Sequence, residues 1–307
     1  MSGVSIGVRI QWAARPVLVS AALFALLSAR SGGAQSRPDT RESVEPPNAT
    51  MLRVAGGTFQ MGARGEGEGD ERPMHAVTLE AFDLDETEVT NEDYARCVRA
   101  RVCTAPDPRS ATLNHYGNDQ RFRRPRQPVS SIDQGQARRY CHWVGRRLPT
   151  EAEFERAARG DDGRRFPWGN DRPTREHAVF SQGVTEDVAT HPLGRGPYGH
   201  HDLTGNVWEW SSDRYDPFAY RRPTASSGRP GSCPEILQAQ DQLRRDRVQR
   251  FTGSNPIPTT CEFVLRGGAF NYDAHGLRSS NRVHHPGNFR LVMSGFRCAR
   301  SVPSASP

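Results

Sequence analysis

The amino-acid sequence predicts a single α+β domain with unusually little regular secondary structure. The chain has 307 residues, which is enough for one large domain. Helical periodicity is largely confined to residues 90–160, and short strand-like segments separated by turn residues precede it. Beyond Asp162, glycine, proline, asparagine and tryptophan interrupt the chain every few residues. No internal repeat is visible, so we do not expect a repeat architecture.

The first 34 residues are typical of a secretory signal peptide. Arg9 and Arg15 precede an apolar run at 17–27, and small residues lead to Ala34, near which we expect cleavage. The run is shorter than the about 20 residues of a spanning helix, and an uncleaved anchor is the alternative. We expect a periplasmic or secreted protein with no membrane span in its mature chain. The predicted boundaries are a linker at 35–50, a domain at 51–302 and a tail at 303–307.

The charge of the chain does not predict a nucleic-acid partner. The formal net charge is +6, but residues 1–34 hold three arginines and no acid, so the remainder carries 6 − 3 = +3. All 41 basic residues are arginine, which codon bias in a GC-rich genome explains. No basic run alternates with aromatic residues as nucleic-acid-binding surfaces do.

Local signals predict the elements in order. Residues 52–62 indicate two short strands around a tight turn, and 75–79 and 82–85 indicate another strand pair. Thr90, Asp133 and Thr150 are helix-capping residues. They predict helices at 91–101, at 134–145 and from 151, the last of which ends at Gly160. Residues 214–260 are a polar insertion, in which 237–250 indicate a short amphipathic helix.

Six cysteines in an exported chain predict three disulfide bonds. Cys97 and Cys103 flank a short turn and can pair locally. Cys233 and Cys261 bracket the polar insertion, which leaves Cys141 and Cys298 as a long-range pair. None has the spacing of a zinc or redox site.

Several phrases, in order, resemble the formylglycine-generating enzyme (sulfatase-modifying factor) family between about residues 52 and 301. The resemblance implies a fold related to the C-type lectins and a disulfide between Cys141 and Cys298. These phrases are GGTFQMG at 56–62, EVTNEDY at 88–94, QPVS at 127–130, GRRLPTEAEFE at 145–155, FPWGN at 166–170, LTGNVWEW at 203–210, RGG at 266–268 and GFRC at 295–298.

The family's copper chemistry needs two cysteines shortly after the Arg-Gly-Gly phrase, and this chain has none there. The corresponding residues are Tyr272 and Leu277. Copper(I) prefers soft thiolates, which a phenol and a hydrocarbon do not replace. We therefore do not expect copper or the family's oxidase chemistry by its usual route.

The resemblance also implies a structural calcium site. Its ligands would be the carboxylates of Asp202 and Glu209 and the main-chain carbonyls of Gly205 and Val207, an oxygen set that suits calcium. A loop tied by hydrogen bonds to backbone amides is the alternative. The family's second calcium site is interrupted here by Val179, although Asp187 remains nearby.

For function, the sequence leaves two alternatives. The first is a binding or accessory module without copper that uses a groove formed by residues 271–290 to hold a peptide, protein or glycan. The second is an oxidoreductase of the same family that makes formylglycine on a sulfatase cysteine, or performs another periplasmic oxidation, with non-cysteine residues. Candidate groove residues are Tyr272, Asp273, His275, Arg278 and His284.

Overall fold

The computed structural model describes residues 44–107, 119–246 and 256–303. The predicted signal peptide, most of the predicted linker and the last four residues lie outside these ranges. Residues 44–50 have no regular structure, but they lie against the domain, because Arg146 donates a hydrogen bond to the carbonyl of Ala49 (2.8 Å). None of the helices in the described part of the chain is long and apolar enough to cross a membrane.

The first four strands form one long antiparallel ribbon in two sections. Strands β1 (Met51–Val54) and β4 (Phe82–Asp85) pair with each other, and β2 (Gly57–Met61) and β3 (His75–Leu79) pair with each other. The strands were predicted correctly, but their pairing was not: the sequence predicted β1 beside β2 and β3 beside β4, whereas β1 pairs with β4 and β2 with β3. The ribbon is interrupted at Gly56, where an added Cβ would lie 2.9 Å from the Ala81 nitrogen.

Three helices begin at the predicted caps. Helix α1 is Asn91–Arg99, α2 is Gln134–Trp143 and α3 is Glu151–Arg159. The side chains of Thr90, Asp133 and Thr150 each accept a hydrogen bond from the third residue of their helix, which satisfies an otherwise orphaned amide. Helix α3 ends at Gly160, whose φ of 67° is a conformation that favours glycine.

The second half of the domain is built on four strands, β5 (Trp208–Arg214), β6 (Phe263–Arg266), β7 (Val283–His285) and β8 (Ser294–Gly295). They form one sheet with the order β7-β6-β5-β8. A ninth strand, β9 (Ala299–Ser301), joins β4 at the edge of the first ribbon. Helix α4 (Cys233–Arg245) begins four residues before the predicted position, because the carboxylate of Glu235 caps the amide of Ser232 (2.7 Å).

All three predicted disulfides are present, and no cysteine is free. Cys97 pairs with Cys103, and Cys233 pairs with Cys261. Cys141 and Cys298 are fully buried in the main core, where their bond joins α2 to the residue before β9 across 157 positions of sequence. Such a long-range link restricts the unfolded chain and stabilises the fold by about 2–5 kcal/mol.

A buried ionic network joins the ribbon, α3 and the main sheet. Arg266 contacts Glu151 (3.0 Å) and Glu155 (2.5 Å), and Arg282 contacts Glu151 (2.6 Å). The hydroxyl of Tyr215 donates to Asp70 (2.8 Å) within the same region. Because burial of a charge is costly unless it is paired, these arginines have a structural role that composition alone did not reveal.

We expect the stability of the protein to depend on pH through Asp70. Burial raises the pKa of Asp70 to about 7, in spite of the nearby Arg282 and the Tyr215 hydrogen bond. Because the pKa of Asp70 is higher in the folded state than its unfolded-state value of 3.8, protonated Asp70 contributes fully to stability below pH 3.8. That contribution is lost as the pH rises through 7. Asp70→Asn should therefore gain stability relative to wild type between pH 5 and pH 7.5 in urea unfolding. Parallel stability curves would contradict this assignment.

Candidate functional site

The loop that carries the predicted calcium ligands has a tightly curled backbone. Asp202, Gly205 and Asn206 all have positive φ angles, of 53°, 90° and 58°. An added Cβ at Gly205 would lie 2.7 Å from the carbonyl oxygen of Val179, so a larger residue does not fit. The loop is held by hydrogen bonds from the Gly205 amide to Gly267 (2.8 Å) and from the Asn206 amide to Val179 (2.9 Å). Strained, well-anchored loops of this kind cluster at functional sites.

Three carboxylates gather at this loop around a single arginine. Glu88, Asp202 and Glu209 are all buried and influence one another electrostatically. Arg297, which is also buried, donates to both carboxylate oxygens of Glu209 (2.8–3.0 Å). Asp202 accepts a hydrogen bond from the amide of Ala189 (2.6 Å).

Glu88 is the unusual member of this group. Its side chain is 1% exposed, yet neither carboxylate oxygen has a hydrogen-bond partner among the described residues. Burial raises the pKa of Glu88 well above its usual value, and the negative charges of Asp202 and Glu209 raise it further. A buried carboxylate without a partner requires an explanation, and a bound cation provides one.

The chemistry of this group would be compatible with calcium. If all three carboxylates were ionised, they and the one guanidinium would carry a formal charge of −2, which a divalent ion would neutralise, and the candidate donors are oxygens. In the described residues, no three His, Cys, Asp or Glu side chains are grouped closely enough to hold a metal by themselves. An ion here would therefore also need the carbonyls of Gly205 and Val207. Glu88 was not predicted as a site residue from the sequence, because the segment EVTNEDY at 88–94 was interpreted only as a family motif.

The stretch around Val179 and Asp187, which resembles the family's second calcium site, does not resemble the 202–209 loop in its contacts. Val179 is buried in the main hydrophobic core. Asp187 forms an ion pair with Arg124 (3.3 Å). These contacts are those of a packed loop.

Tyr272 lies half-buried beside Trp208 at the start of β5. The two rings meet edge to face, with 5.2 Å between centroids and 88° between planes. Burial raises the pKa of Tyr272. A side-chain hydrogen bond from the buried indole of Trp208 opposes that rise in the pKa of Tyr272. The carbonyl of Tyr272 is fixed by the amide of Ser181 (2.8 Å), so the position of the phenol is set by the backbone.

Leu277, the other residue at a predicted cysteine position, is fully buried. It packs in a small apolar cluster with Phe166 and Ala178, which Trp168 and Phe180 border. An added Cβ on Gly276 would lie 3.2 Å from the Cβ of Tyr272, so the segment 272–277 folds back on itself. Hydrocarbon fills this position, and all six cysteines are in disulfides elsewhere.

The other four groove candidates have different partners. Asp273 is exposed, and its carboxylate accepts a hydrogen bond from the backbone amide of His275 (2.9 Å). The exposed ring of His275 contacts Glu68 (3.2 Å). Arg278 is buried against Glu71 (2.5 and 2.9 Å); burial opposes ionisation of Glu71, but Arg278 outweighs it and holds the pKa of Glu71 below its usual value.

His284 lies on the sheet itself. It is buried against Glu262 (2.7 Å) and stacks on Tyr215. The structure thus brings Asp273, His275 and Arg278 together at one short turn, whereas Tyr272 and His284 make separate contacts.

Comparison with known proteins identifies the family. Residues 36–302 match the sulfatase-modifying factor enzyme 1-like domain. The chain is 34% identical over 273 residues to the formylglycine-generating enzyme of Streptomyces coelicolor, which covers 69% of this chain and 87% of that protein. It is also 32% identical to the serine/threonine-protein kinase pkn1 of Chlamydia caviae, over 86% of this chain. The chain spans only about 40% of the length of that relative.

Solved structures show the same fold. The structure of PvdO from Pseudomonas aeruginosa superposes with a TM-score of 0.61 and 24% identity, over 82% of this chain and 94% of that one. This likeness agrees with the sparse helices and small sheets described above. The match to the family domain over most of the chain, together with the identity to the Streptomyces enzyme, shows that this protein belongs to the sulfatase-modifying factor (formylglycine-generating enzyme) family.

Proposed function

We propose that this protein is an exported, calcium-stabilised member of its family that binds a ligand at the surface beside Tyr272 and does not use copper. The observation that carries this proposal is the half-buried phenol of Tyr272, which is held edge to face against Trp208 and lies between the exposed residues Ser181 and Asn271. Three disulfides support an oxidising compartment outside the cytoplasm.

The proposal excludes copper on chemical grounds. Copper(I) requires soft donors, of which thiolates are the usual ones in this family. Leu277 offers no donor atom, and it is buried among other hydrocarbon groups. No free thiol exists that could replace the missing pair.

The proposed ligand carries a hydrogen-bond acceptor, such as the carbonyl of a peptide or of an N-acetylated sugar. Such a group would accept a hydrogen bond from the phenol of Tyr272. Asn271 and Ser181, which are exposed on either side, offer further polar contacts. Aromatic rings with a polar group are well suited to such surfaces, since one part packs and the other hydrogen-bonds.

The test is direct binding of two probes, a synthetic sulfatase peptide that contains the cysteine and soluble peptidoglycan fragments, measured by calorimetry. Tyr272→Phe should weaken binding of the recognised probe by about 5–10-fold, the value of one hydrogen bond. Tyr198→Phe is the matched control, because Tyr198 is also half-buried but lies elsewhere. If neither probe binds, or if Tyr272→Phe binds as tightly as wild type, the assignment of this surface is wrong.

An oxidoreductase is the second candidate function, which the identity to a formylglycine-generating enzyme favours. In that case the protein would oxidise a sulfatase cysteine or another periplasmic substrate with non-cysteine residues. The exposed turn with Asp273 and His275 would be the place to look for them. Consumption of oxygen distinguishes this function from simple binding.

A further inference from the structure

A cavity of about 260 Å³ lies beside residues 49–50, the end of β4 and the start of α1. A single water needs only about 10–15 Å³ of such space, so the cavity is large enough for an organic group. We call it the acidic cavity. Among its described lining residues one is basic, Arg126, and five are acidic: Asp85, Glu86, Glu88, Glu92 and Asp93.

Neighbouring cations neutralise only part of this negative charge. Asp85 forms a buried ion pair with Arg146. Glu86, in contrast, is half-buried and lies 4.0 Å from the guanidinium of Arg195, at the outer limit of an ion pair. A concave surface lined by charges of one sign concentrates their electric field. The acidic cavity should therefore attract positively charged groups.

Glu88 gives the acidic cavity an unsatisfied acceptor at its most buried acidic residue. Its side chain is 1% exposed, and neither carboxylate oxygen has a hydrogen-bond partner among the described residues. Arg297 donates to both oxygens of Glu209 and to the carbonyl of Asp85. A buried carboxylate in this position requires a donor, and an ammonium group supplies three N–H donors and the opposite charge.

Apolar side chains form another part of the lining. Val89, Val188 and Tyr140 all contribute to it, and each is itself buried. An alkyl chain can pack against such a surface while its charged end forms hydrogen bonds. In the part of the chain that the structure describes, no three His, Cys, Asp or Glu side chains are close enough to hold a metal by themselves. Carboxylates spread along an apolar wall suit an extended organic cation.

We propose that the acidic cavity binds a primary ammonium group on an alkyl chain, with the ammonium at Glu88 and the chain against Val89 and Val188. A lysine side chain of a peptide and a free diamine both carry this group. The acidic cavity is separate from the ligand surface beside Tyr272, so the two proposals succeed or fail independently. A calcium ion at the 202–209 loop would also use Glu88, so the ion and the amine exclude each other.

The experiment is calorimetric titration of the full exported protein, in chelator, with three probes. Two carry the ammonium group: cadaverine, a free diamine, and Nα-acetyl-lysine methylamide, which represents a peptide lysine. The third, Nα-acetyl-norleucine methylamide, has the same alkyl chain without the charge. We expect at least one amine to bind and the norleucine derivative not to bind, and the preferred amine identifies the source of the group. Failure of both amines, or equal binding of the norleucine derivative, would overturn the proposal.

Two variants locate the bound amine. Glu88→Gln should weaken its binding by about tenfold or more, the value of a hydrogen bond to a charged group at a buried position. Glu86→Gln should weaken it by about three- to fivefold, as expected for a more exposed charge. Thermal unfolding verifies that each variant is folded, and Glu86→Gln alone still tests the site if Glu88→Gln does not fold.

The matched control is Glu68→Gln. Glu68 is also half-buried, but it contacts His275 (3.2 Å) and does not line the acidic cavity. Its replacement should leave the affinity for the amine unchanged within error. Equal weakening by Glu68→Gln and Glu86→Gln would show an effect of overall charge and overturn the proposal, as would wild-type affinity in folded Glu88→Gln. Stabilisation by calcium without binding of either amine would overturn this proposal alone.

Discussion

Calcium is expected to raise the unfolding temperature of the wild-type protein by about 5–10 °C, and Glu88→Gln is expected to remove most of that rise. The reason is the charge at the 202–209 loop. Glu88, Asp202 and Glu209 share one arginine, Arg297, so a divalent ion would relieve the repulsion among the three carboxylates. Calcium at about 100 times its dissociation constant contributes about 2.7 kcal/mol.

The same substitution should have the opposite effect without the ion. Glutamine is nearly isosteric with glutamate, but it adds no charge to the cluster and can donate a hydrogen bond. Metal-free Glu88→Gln should therefore be at least as stable as metal-free wild type. A simple packing defect would lower stability in both conditions, so this reversal distinguishes ion binding from structural damage.

Glu88 is a better position for this test than Glu209. Substitution of Glu209 by alanine would also leave Arg297 buried without its carboxylate, which is strongly destabilising whether or not calcium binds. Glu92→Gln is the matched control, because Glu92 is exposed on α1 four residues away. Unfolding is followed with calcium, with magnesium and with a chelator. Identical unfolding of wild type with calcium and with chelator would show that the site is not a calcium site.

Local features of this fold were predictable from sequence, and long-range pairings were not. Thr90, Asp133 and Thr150 begin helices because a cap depends on residues three positions apart. The pairing of β1 with β4 depends on residues 28 or more positions apart, which no local pattern encodes. The long-range disulfide was an exception, since few partners were available.

In the candidate site too, residues within one short segment were predictable from sequence, and residues brought together by folding were not. The 202–209 loop and the replacement of two cysteines were predicted from resemblance to family phrases, each a short continuous stretch, and both stay predictions. Glu88 was missed because it comes from a different phrase and reaches the loop only in the folded protein. The burial of Arg278 and His284 was also not visible, since polar residues in a loop-rich segment are ordinarily exposed.

The predicted replacement of the copper ligands has the largest expected consequence for activity. The resemblance to the family predicts that the half-buried Tyr272 and the buried Leu277 stand where copper-binding members have two thiolates. Without a soft ligand pair, no oxygen-activating copper should be retained. The expected loss is therefore complete rather than partial.

Copper content and oxygen uptake, measured on the same sample, test this account most directly. The purified protein is incubated with copper(I), separated from unbound metal and mixed with a cysteine-containing sulfatase peptide, with a cysteine-bearing formylglycine-generating enzyme as the positive control. We predict far less than one copper per chain and no peptide-dependent oxygen uptake. Stoichiometric copper together with oxygen consumption that requires the peptide cysteine would contradict the account.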